Sequence, residues 1–229
     1  MRFSLNLQHR DFFNLHHVIE FEKLLTPEQA KHIKQEAEKI VARRLHLTPA
    51  KLTTTSSATL FKNGYDIWRE SDEIKKATQK LSTVEIAAEL FHTQPLRMGS
   101  DQLIITNTSA LSPFPEPTTL QDISSIKPLA GGFLLQLENL PDDPIYSIPS
   151  FPLPRQAGHG LFIASTHPIP WPTLFSLPHL CCLLMTFAPQ KSYYKQEMKD
   201  PHSVALKKLG YVFNEPLREP LHPIVYGKK

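Results

Sequence analysis

The sequence contains few cysteines and no long apolar run. Its two cysteines, Cys181 and Cys182, are adjacent. Neighbouring cysteines are poorly placed to form a disulfide with each other, so no structural disulfide is expected within the chain, and a reducing, cytoplasmic location is predicted. No stretch approaches the ~18 apolar residues that a membrane-spanning helix needs, so no membrane association is expected.

Charge and common catalytic motifs are also scarce. The 25 Lys and Arg residues exceed the 22 Asp and Glu residues by only three, which is too small an excess to predict nucleic-acid binding. The sequence has no Gly-rich phosphate loop, nucleophile elbow or paired-cysteine zinc motif. These absences argue against the common nucleotide-binding, hydrolase and zinc-finger classes.

The first half of the chain shows helical patterns. In "LLTPEQAKHIKQEAEKIVARRLH", Thr26 is a predicted cap, Pro27 suits the first helical position and Gln29 completes a capping box. "LSTVEIAAELFH" is a second predicted helix, with Ser82 as its cap, whereas "AKLTTTSSATL" indicates a loop or exposed edge.

The pattern changes after Pro95. "LRMGSDQLIIT", "GGFLLQLENL", "HGLFIAST" and "LCCLLMTF" are short apolar runs separated by Pro-, Ser- and Asp-rich connectors, as is typical of strands. "KDPHSVALKKLG" predicts a late helix capped by Asp200 and stopped by Gly210. The order indicates an α+β chain of one domain, 1–229. It comprises a mainly helical region 1–95, a β core 96–190 and a C-terminal helix and tail 191–229.

Two segments resemble the phytanoyl-CoA dioxygenase family. They are "GYDIWRESDEIKKATQKLSTVEIAAELFHTQPLRMGSDQLI" and "DPHSVALKKLGYVFNEPLREPLHPIVYG", which together cover about a third of the chain. The resemblance implies a double-stranded β-helix core, which is a jelly-roll, cupin-like fold, with the N-terminal helices packed on one face. It also implies Fe(II) held by two histidines and a carboxylate, with 2-oxoglutarate as co-substrate.

The residues that the resemblance aligns with the iron ligands are only partly of the right type. "TTLQD" is the counterpart of the family's His-x-Asp motif, so Asp122 matches the carboxylate, but Leu120 stands at the first histidine. His167 is the counterpart of the second histidine. A leucine cannot bind iron, so Asp122 and His167 are predicted to be vestigial metal positions.

The co-substrate anchor is missing from its expected strand. The family places an Arg there to pair with the distal carboxylate of 2-oxoglutarate. The strand "LPHLCCLLMTF" has no Arg, and Lys127 is the candidate that would have to reach in from another strand. Cys181 and Cys182 should point to opposite faces of the strand and behave as small apolar residues.

Three interpretations remain open. The favoured one is a degenerate, non-catalytic protein without a cofactor, which binds a small molecule or a protein partner in a pocket under Trp171. The second is an active Fe(II)/2-oxoglutarate oxygenase that recruits His159 or Asp101 as a replacement ligand. The third is a metal-responsive regulator or DNA-binding protein, for which the sequence has no helix-turn-helix or zinc motif.

Overall fold

The structure, a computed structural model, describes residues 5–107 and 111–227. Helices predominate before residue 95. They are α1 (Leu7–His16), α2 (Pro27–Arg44), α3 (Ser57–Asn63), α4 (Asp72–Thr78) and α5 (Leu81–Leu90). One early strand, β1 (Val18–Phe21), lies among them.

Strands predominate after residue 95. They are β2 (Leu96–Ile105), β3 (Thr118–Thr119), β4 (Ile126–Lys127), β5 (Gly131–Gln136), β6 (Gly160–Ala164), β7 (Pro168–Ile169), β8 (Cys181–Pro189), β9 (Tyr193–Tyr194) and β10 (Ile224–Tyr226). Short helices connect them: α6 (Leu120–Ile123), α7 (Trp171–Ser176) and α8 (Ser203–Lys208). The four predicted strand segments correspond to β2, β5, β6 and β8, and are confirmed.

The strands form a mixed α/β structure with a curled antiparallel sheet. The large sheet has six strands in the order β1-β6-β5-β8-β2-β10, and each described neighbour pair is antiparallel. Two smaller sheets each contain two strands, β3 with β7 and β4 with β9. Within the described residues, no helix is long and apolar enough to cross a membrane.

Helix α2 confirms its sequence pattern in detail. The Thr26 side chain accepts a hydrogen bond from the Gln29 backbone N–H, and the Gln29 side chain accepts one from the Thr26 N–H, so the capping box is complete. Ala30, Ile33 and Ala37 are buried along one face of the helix. This apolar face positions α2 against the core.

Three local predictions are wrong. Helix α5 begins at Leu81 rather than after Ser82, because the chain turns directly out of α4 and the Lys80 carbonyl already accepts the Thr83 N–H. The predicted loop at 50–60 contains a 3₁₀ turn and the start of α3, which Ser56 caps. Asp200 does not cap α8, since its carboxylate accepts the N–H groups of Ser125 and His202.

The two faces of β8 contact different parts of the core. Cys181, Leu183, Met185 and Phe187 belong to the apolar cluster shared with the N-terminal helices. Cys182, Leu184 and Ala188 belong to a second cluster with residues of α6, β7 and α7. The prediction that the two cysteines point to opposite faces is confirmed.

A β-bulge in β2 precedes two polar residues that lie on the side of the second cluster. The register of β2 against β8 shifts between Met98 and Asp101. A Cβ at Gly99 would lie 2.5 Å from Thr186 Oγ1, so only glycine permits this close approach. After the bulge, Ser100 and Gln102 both line a cavity on the side of the second cluster.

Candidate functional site

A central cavity lies between the second face of β8 and the segment from β3 to α7. It has a volume of about 40 Å³. This is room for about three water molecules or one compact chemical group. Its lining residues are Phe61, Ser100, Gln102, Phe114, Leu120, Ile123, Ser124, Trp171, Leu184, Thr186, Asp200, Pro201 and His202.

One wall of the central cavity is aromatic. The ring of Trp171 lies 5.1 Å from that of Phe114 and 6.4 Å from that of Phe61, measured between centroids. Phe175 packs edge-on against Phe61 behind them. Tilted and edge-to-face pairs of this kind fix the orientation of the rings. The wall is therefore a rigid apolar surface rather than a mobile lid.

The opposite wall carries hydroxyl groups that bond to each other. Thr186 Oγ1 accepts the Ser100 N–H at 2.8 Å and lies 2.9 Å from Ser100 Oγ. The Gln102 amide donates from Nε2 to the carbonyls of Phe61 and Leu103. These bonds satisfy most of the polar atoms that the bulge turns toward the cavity.

Two residues that line the cavity nevertheless have an unsatisfied polar atom. Trp171 and Gln102 are 1% and 3% exposed. Within the described part of the chain, Trp171 Nε1 and Gln102 Oε1 have no hydrogen-bond partner. One is a donor and the other an acceptor, and a buried polar atom without a partner costs about 1–3 kcal/mol.

The charged end of the cavity is a buried ion pair. His202 Nδ1 lies 2.8 Å from Asp200 Oδ1, and His202 Nε2 lies 2.7 Å from the backbone oxygen of Asp101. Since both neighbours are acceptors, both ring nitrogens carry protons. Burial alone would lower the pKa of His202, but the charge and hydrogen bond of Asp200 prevail and raise it to about 9.

Asp200 is ionised within this pair. Burial acts to raise the pKa of Asp200, but the charge of His202 and three hydrogen bonds hold it below its ordinary value. The pair is therefore a carboxylate and an imidazolium whose charges cancel. The sequence does not predict either group as a site residue, because Asp200-Pro201-His202 has the pattern of a helix start.

The residues predicted as metal positions do not line the central cavity. Asp122 is exposed, and its carboxylate accepts a hydrogen bond from Thr119 Oγ1 at 2.7 Å. His167 is half-buried and stacks on Phe151, with 6.4 Å between ring centroids. Leu120, by contrast, is 2% exposed and lies in the cavity wall.

The predicted anchor and pocket residues are distributed around the fold. Lys127 Nζ donates to the backbone oxygen of Gln121 and does not line the cavity. Trp171 lines the cavity. His159 lies elsewhere, with its Nδ1 3.3 Å from Glu20 Oε1.

Asp101 is buried, but it does not line the cavity. Its two carboxylate oxygens accept the backbone N–H groups of Ile67 and Trp68 at 2.8 and 2.9 Å. Burial, followed by the charge of Asp66, raises the pKa of Asp101 to about 7. Asp101 therefore fixes the segment after α3, and its backbone oxygen orients His202.

The cysteines have no reactive environment. Burial raises the pKa of Cys181 and of Cys182. The Cys182 thiol donates to Gln136 Oε1 at 2.8 Å. A thiol that stays protonated is a poor nucleophile and a poor metal ligand.

Several solved structures are similar to this chain, and two of them are named as non-heme alpha ketoglutarate dependent enzymes. The chain is similar to SnoK, a non-heme alpha ketoglutarate dependent carbocyclase from nogalamycin biosynthesis, with a TM-score of 0.69 and 13% identity over 97% of both chains. It is also similar to SnoN, a non-heme alpha ketoglutarate dependent epimerase from the same biosynthesis, with a TM-score of 0.63 and 13% identity over 95% of this chain and 97% of that one.

A third similar structure is CytC3 with Fe(II) and alpha-ketoglutarate. Its TM-score is 0.57, with 11% identity over 85% of this chain and 81% of that one. No protein-family model matches the sequence, and no curated protein matches it. At such low identities, the likeness establishes the fold of the chain alone.

Proposed function

We propose that this chain is a double-stranded β-helix protein, related to the phytanoyl-CoA dioxygenase family, that binds a compact ligand in its central cavity without an iron centre. The observation that carries the proposal is Leu120. This residue stands where the resemblance expects the first iron-binding histidine, and its apolar side chain forms part of the cavity wall.

The topology supports the β-helix assignment. Strand β7 of the smaller sheet contributes Ile169 to the second apolar cluster, and the large sheet contributes residues such as Leu134 and Leu184 to the same cluster. A β-helix core has this arrangement of a major and a minor sheet around an interior that opens at one end. The cavity lies in that interior, beside the residues that follow β3.

The protein groups at the family's iron positions do not fit Fe(II). Such a site needs two imidazoles and one carboxylate turned toward the same point. Here Leu120 provides no ligand atom, and Asp122 faces solvent, where its carboxylate is held by Thr119. Among the described residues, no group of three or more His, Cys, Asp or Glu side chains is arranged to hold a metal ion.

The cavity also does not suit 2-oxoglutarate. This co-substrate is a dianion and needs a fixed counter-charge when it is buried. Along β8, Leu184 and Thr186 face the cavity, and neither is charged. Among the described residues that line the cavity, the one cation is His202, and Asp200 already neutralises it at 2.8 Å.

An active oxygenase is the second candidate because of one observation: a carboxylate, Asp200, and an imidazole, His202, both line the cavity. A metal ligand must offer a lone pair, however. Both nitrogens of His202 donate hydrogen bonds to oxygen atoms, so the ring would have to lose a proton and rotate before it could bind a metal.

Calorimetric titration of the full chain tests the proposal. Mn(II), as an air-stable substitute for Fe(II), is added first and 2-oxoglutarate second. We expect no micromolar binding of either. Micromolar Mn(II) affinity that 2-oxoglutarate tightens would overturn the proposal, and its loss in His202→Ala would identify the second candidate.

The Leu120→His variant is a matched test in the same experiment. It restores the family residue at the first ligand position. We expect it to bind Mn(II) no better than the parent chain, because Asp122 is exposed and its carboxylate is held by Thr119. A micromolar site in Leu120→His would show that one substitution is all that separates the chain from an oxygenase.

We also propose that the partner is a small molecule rather than nucleic acid. The central cavity is lined by both polar and apolar groups, and the net charge of the chain is only +3. Titration of a DNA duplex at low and at physiological salt is expected to show no salt-dependent complex. A complex that weakens steeply with salt would favour the DNA-binding interpretation instead.

A further inference from the structure

We propose that the central cavity selects an uncharged group that contains both a hydrogen-bond acceptor and a donor, with the shape of a primary carboxamide. This inference rests on the proposed function and names the chemistry of its ligand. It is carried by Trp171 Nε1 and Gln102 Oε1, the two cavity residues whose buried polar atoms have no partner in the described part of the chain.

The orientation of the Gln102 amide is fixed by the protein. Its Nε2 donates to two backbone carbonyls, of Phe61 at 2.8 Å and of Leu103 at 2.9 Å. A flipped amide would turn an acceptor toward both carbonyls and lose both bonds. Oε1 is therefore held as an acceptor and is available to a donor on the ligand.

The indole of Trp171 has the complementary role. An indole N–H can only donate, and it usually finds a partner when it is buried. The ring packs against both Phe114 and Phe61, so it cannot turn its N–H to solvent without breaking those contacts. Its N–H is available to an acceptor on a ligand.

A carboxamide supplies both groups in one plane. Its carbonyl oxygen accepts from Trp171, and its NH₂ donates to Gln102, while the carbon skeleton lies against the apolar side chains of Leu120 and Leu184. Each new hydrogen bond removes the free-energy cost of an unsatisfied buried group, and this makes the cavity selective for a carboxamide. The volume of about 40 Å³ admits the amide group but not a long chain.

Charge strengthens the selection. A carboxylate has the same shape as a carboxamide but has no donor for Gln102 Oε1. It would place a negatively charged oxygen against the amide oxygen of Gln102, which is unfavourable. The cavity has no unpaired cation to compensate, because the His202 charge is taken by Asp200. An anion is therefore disfavoured, in contrast to the dianionic co-substrate of the oxygenases.

Three probes of equal size separate these effects. Acetamide has an acceptor and a donor, acetone has the acceptor alone, and acetate is charged. Each is titrated into the ¹⁵N-labelled full chain, and the indole N–H signals are followed. The sequence contains only two tryptophans, so the Trp68→Phe variant assigns the Trp171 signal directly.

We expect acetamide to shift the Trp171 signal with a Kd of about millimolar, as suits a probe of a few atoms. Acetone should bind about tenfold more weakly, because it lacks one hydrogen bond. Acetate should bind most weakly. The Trp68 signal is the internal control, since Trp68 Nε1 is also unpartnered in the described chain but does not line the cavity.

The Trp171→Phe variant tests the donor, with Trp68→Phe as its matched control. Binding is then followed at the backbone amides of Ser100 and Thr186. We expect Trp171→Phe to weaken acetamide about tenfold and Trp68→Phe to have no effect. Equal effects of the two substitutions would overturn the role of the Trp171 donor.

The outcomes distinguish the inference from the proposed function. Equal binding of the three probes, or strongest binding of acetate, would overturn the carboxamide selectivity and leave the cavity as a binding site. If no probe shifts any cavity signal at about 100 mM, the cavity holds water only, and both the inference and the proposed function fail.

Discussion

The two faces of strand β8 differ in what surrounds them. Leu183, Met185 and Phe187 enter a cluster of aliphatic and aromatic side chains from the N-terminal helices. One residue along, Leu184 and Thr186 face a cavity that also contains a buried ion pair and two unsatisfied polar atoms. Around β8, the helix face is therefore surrounded mainly by apolar side chains, whereas the cavity face also borders hydroxyl, amide and charged groups.

This difference gives the cavity side the polar and charged groups that the proposed ligand site requires. The apolar residue Leu120 and the internally neutralised Asp200–His202 pair line the cavity.

The largest expected effect comes from breaking the ion pair on the cavity side. His202→Ala leaves the Asp200 carboxylate buried and uncompensated, and we expect it to lower the free energy of unfolding by about 3–5 kcal/mol. Urea denaturation measures the change. His222→Ala is the matched control.

His222 is also fully buried, but it is uncharged. Burial lowers its pKa to about 4, and its Nδ1 donates to the Gly99 carbonyl at 2.9 Å. Its replacement removes packing and one neutral hydrogen bond, so we expect a loss smaller by at least about 1 kcal/mol. Equal losses would show that the charge of His202 contributes nothing.

The same ion pair sets a pH dependence. The folded state raises the pKa of His202 from 6.5 to about 9, so its contribution to stability is complete below about pH 6.5 and disappears as the pH rises through about 9. The folded state also raises the pKa of Asp101, from 3.8 to about 7. This group therefore also makes the protein less stable as the pH rises, between about pH 4 and about pH 7.

Urea denaturation between about pH 6 and pH 10 measures this effect. We expect the midpoint to fall with rising pH in the parent chain. In His202→Ala the fall between about pH 7 and pH 9 should disappear. A parent midpoint that rises through this range would contradict a charged His202.

A pair of neighbouring leucines compares packing on the two faces. Leu183→Ala on the helix face is expected to cost about 3–5 kcal/mol, and Leu184→Ala on the cavity face about 1–2 kcal/mol less. Leu184 already borders open space, so it loses fewer contacts, and water can enter the enlarged cavity. Equal urea midpoints for the two variants would remove the distinction between the faces.

The adjacent cysteines give the finest comparison. Cys182→Ser keeps a donor for Gln136 Oε1, which the thiol already contacts at 2.8 Å. Cys181→Ser places a hydroxyl in the apolar cluster on the helix face. We expect Cys181→Ser to be less stable by about 1 kcal/mol in thermal or urea denaturation. The opposite order would mean that the cavity face is the less polar one.

The sequence predicted the elements of this fold better than its site. The capping box of α2 and the alternation along β8 are local signals, and both are confirmed. The likeness to oxygenase structures agrees with the fold that the family resemblance implied. Leu120 was identified as the departure from the family motif, and the structure places it in the cavity wall.

The site depends on contacts between distant parts of the chain. His202 bonds to the backbone of Asp101, and Asp200 to that of Ser125. Locally, Asp200 resembles a helix cap, because an Asp before Pro commonly has that role. The bulge at Gly99 also determines which β2 residues line the cavity. The alternation of apolar and polar residues along the strand does not predict such a shift in register.

Diffraction from crystals of the full chain grown with Mn(II) and 2-oxoglutarate tests the central claim most directly. An anomalous difference map locates Mn(II) independently of the protein coordinates. We expect no anomalous peak in the central cavity, and the Asp200–His202 ion pair unchanged. A peak bound by Asp200 and His202, or by Asp122 and His167, with 2-oxoglutarate beside it, would contradict a cavity without an iron site.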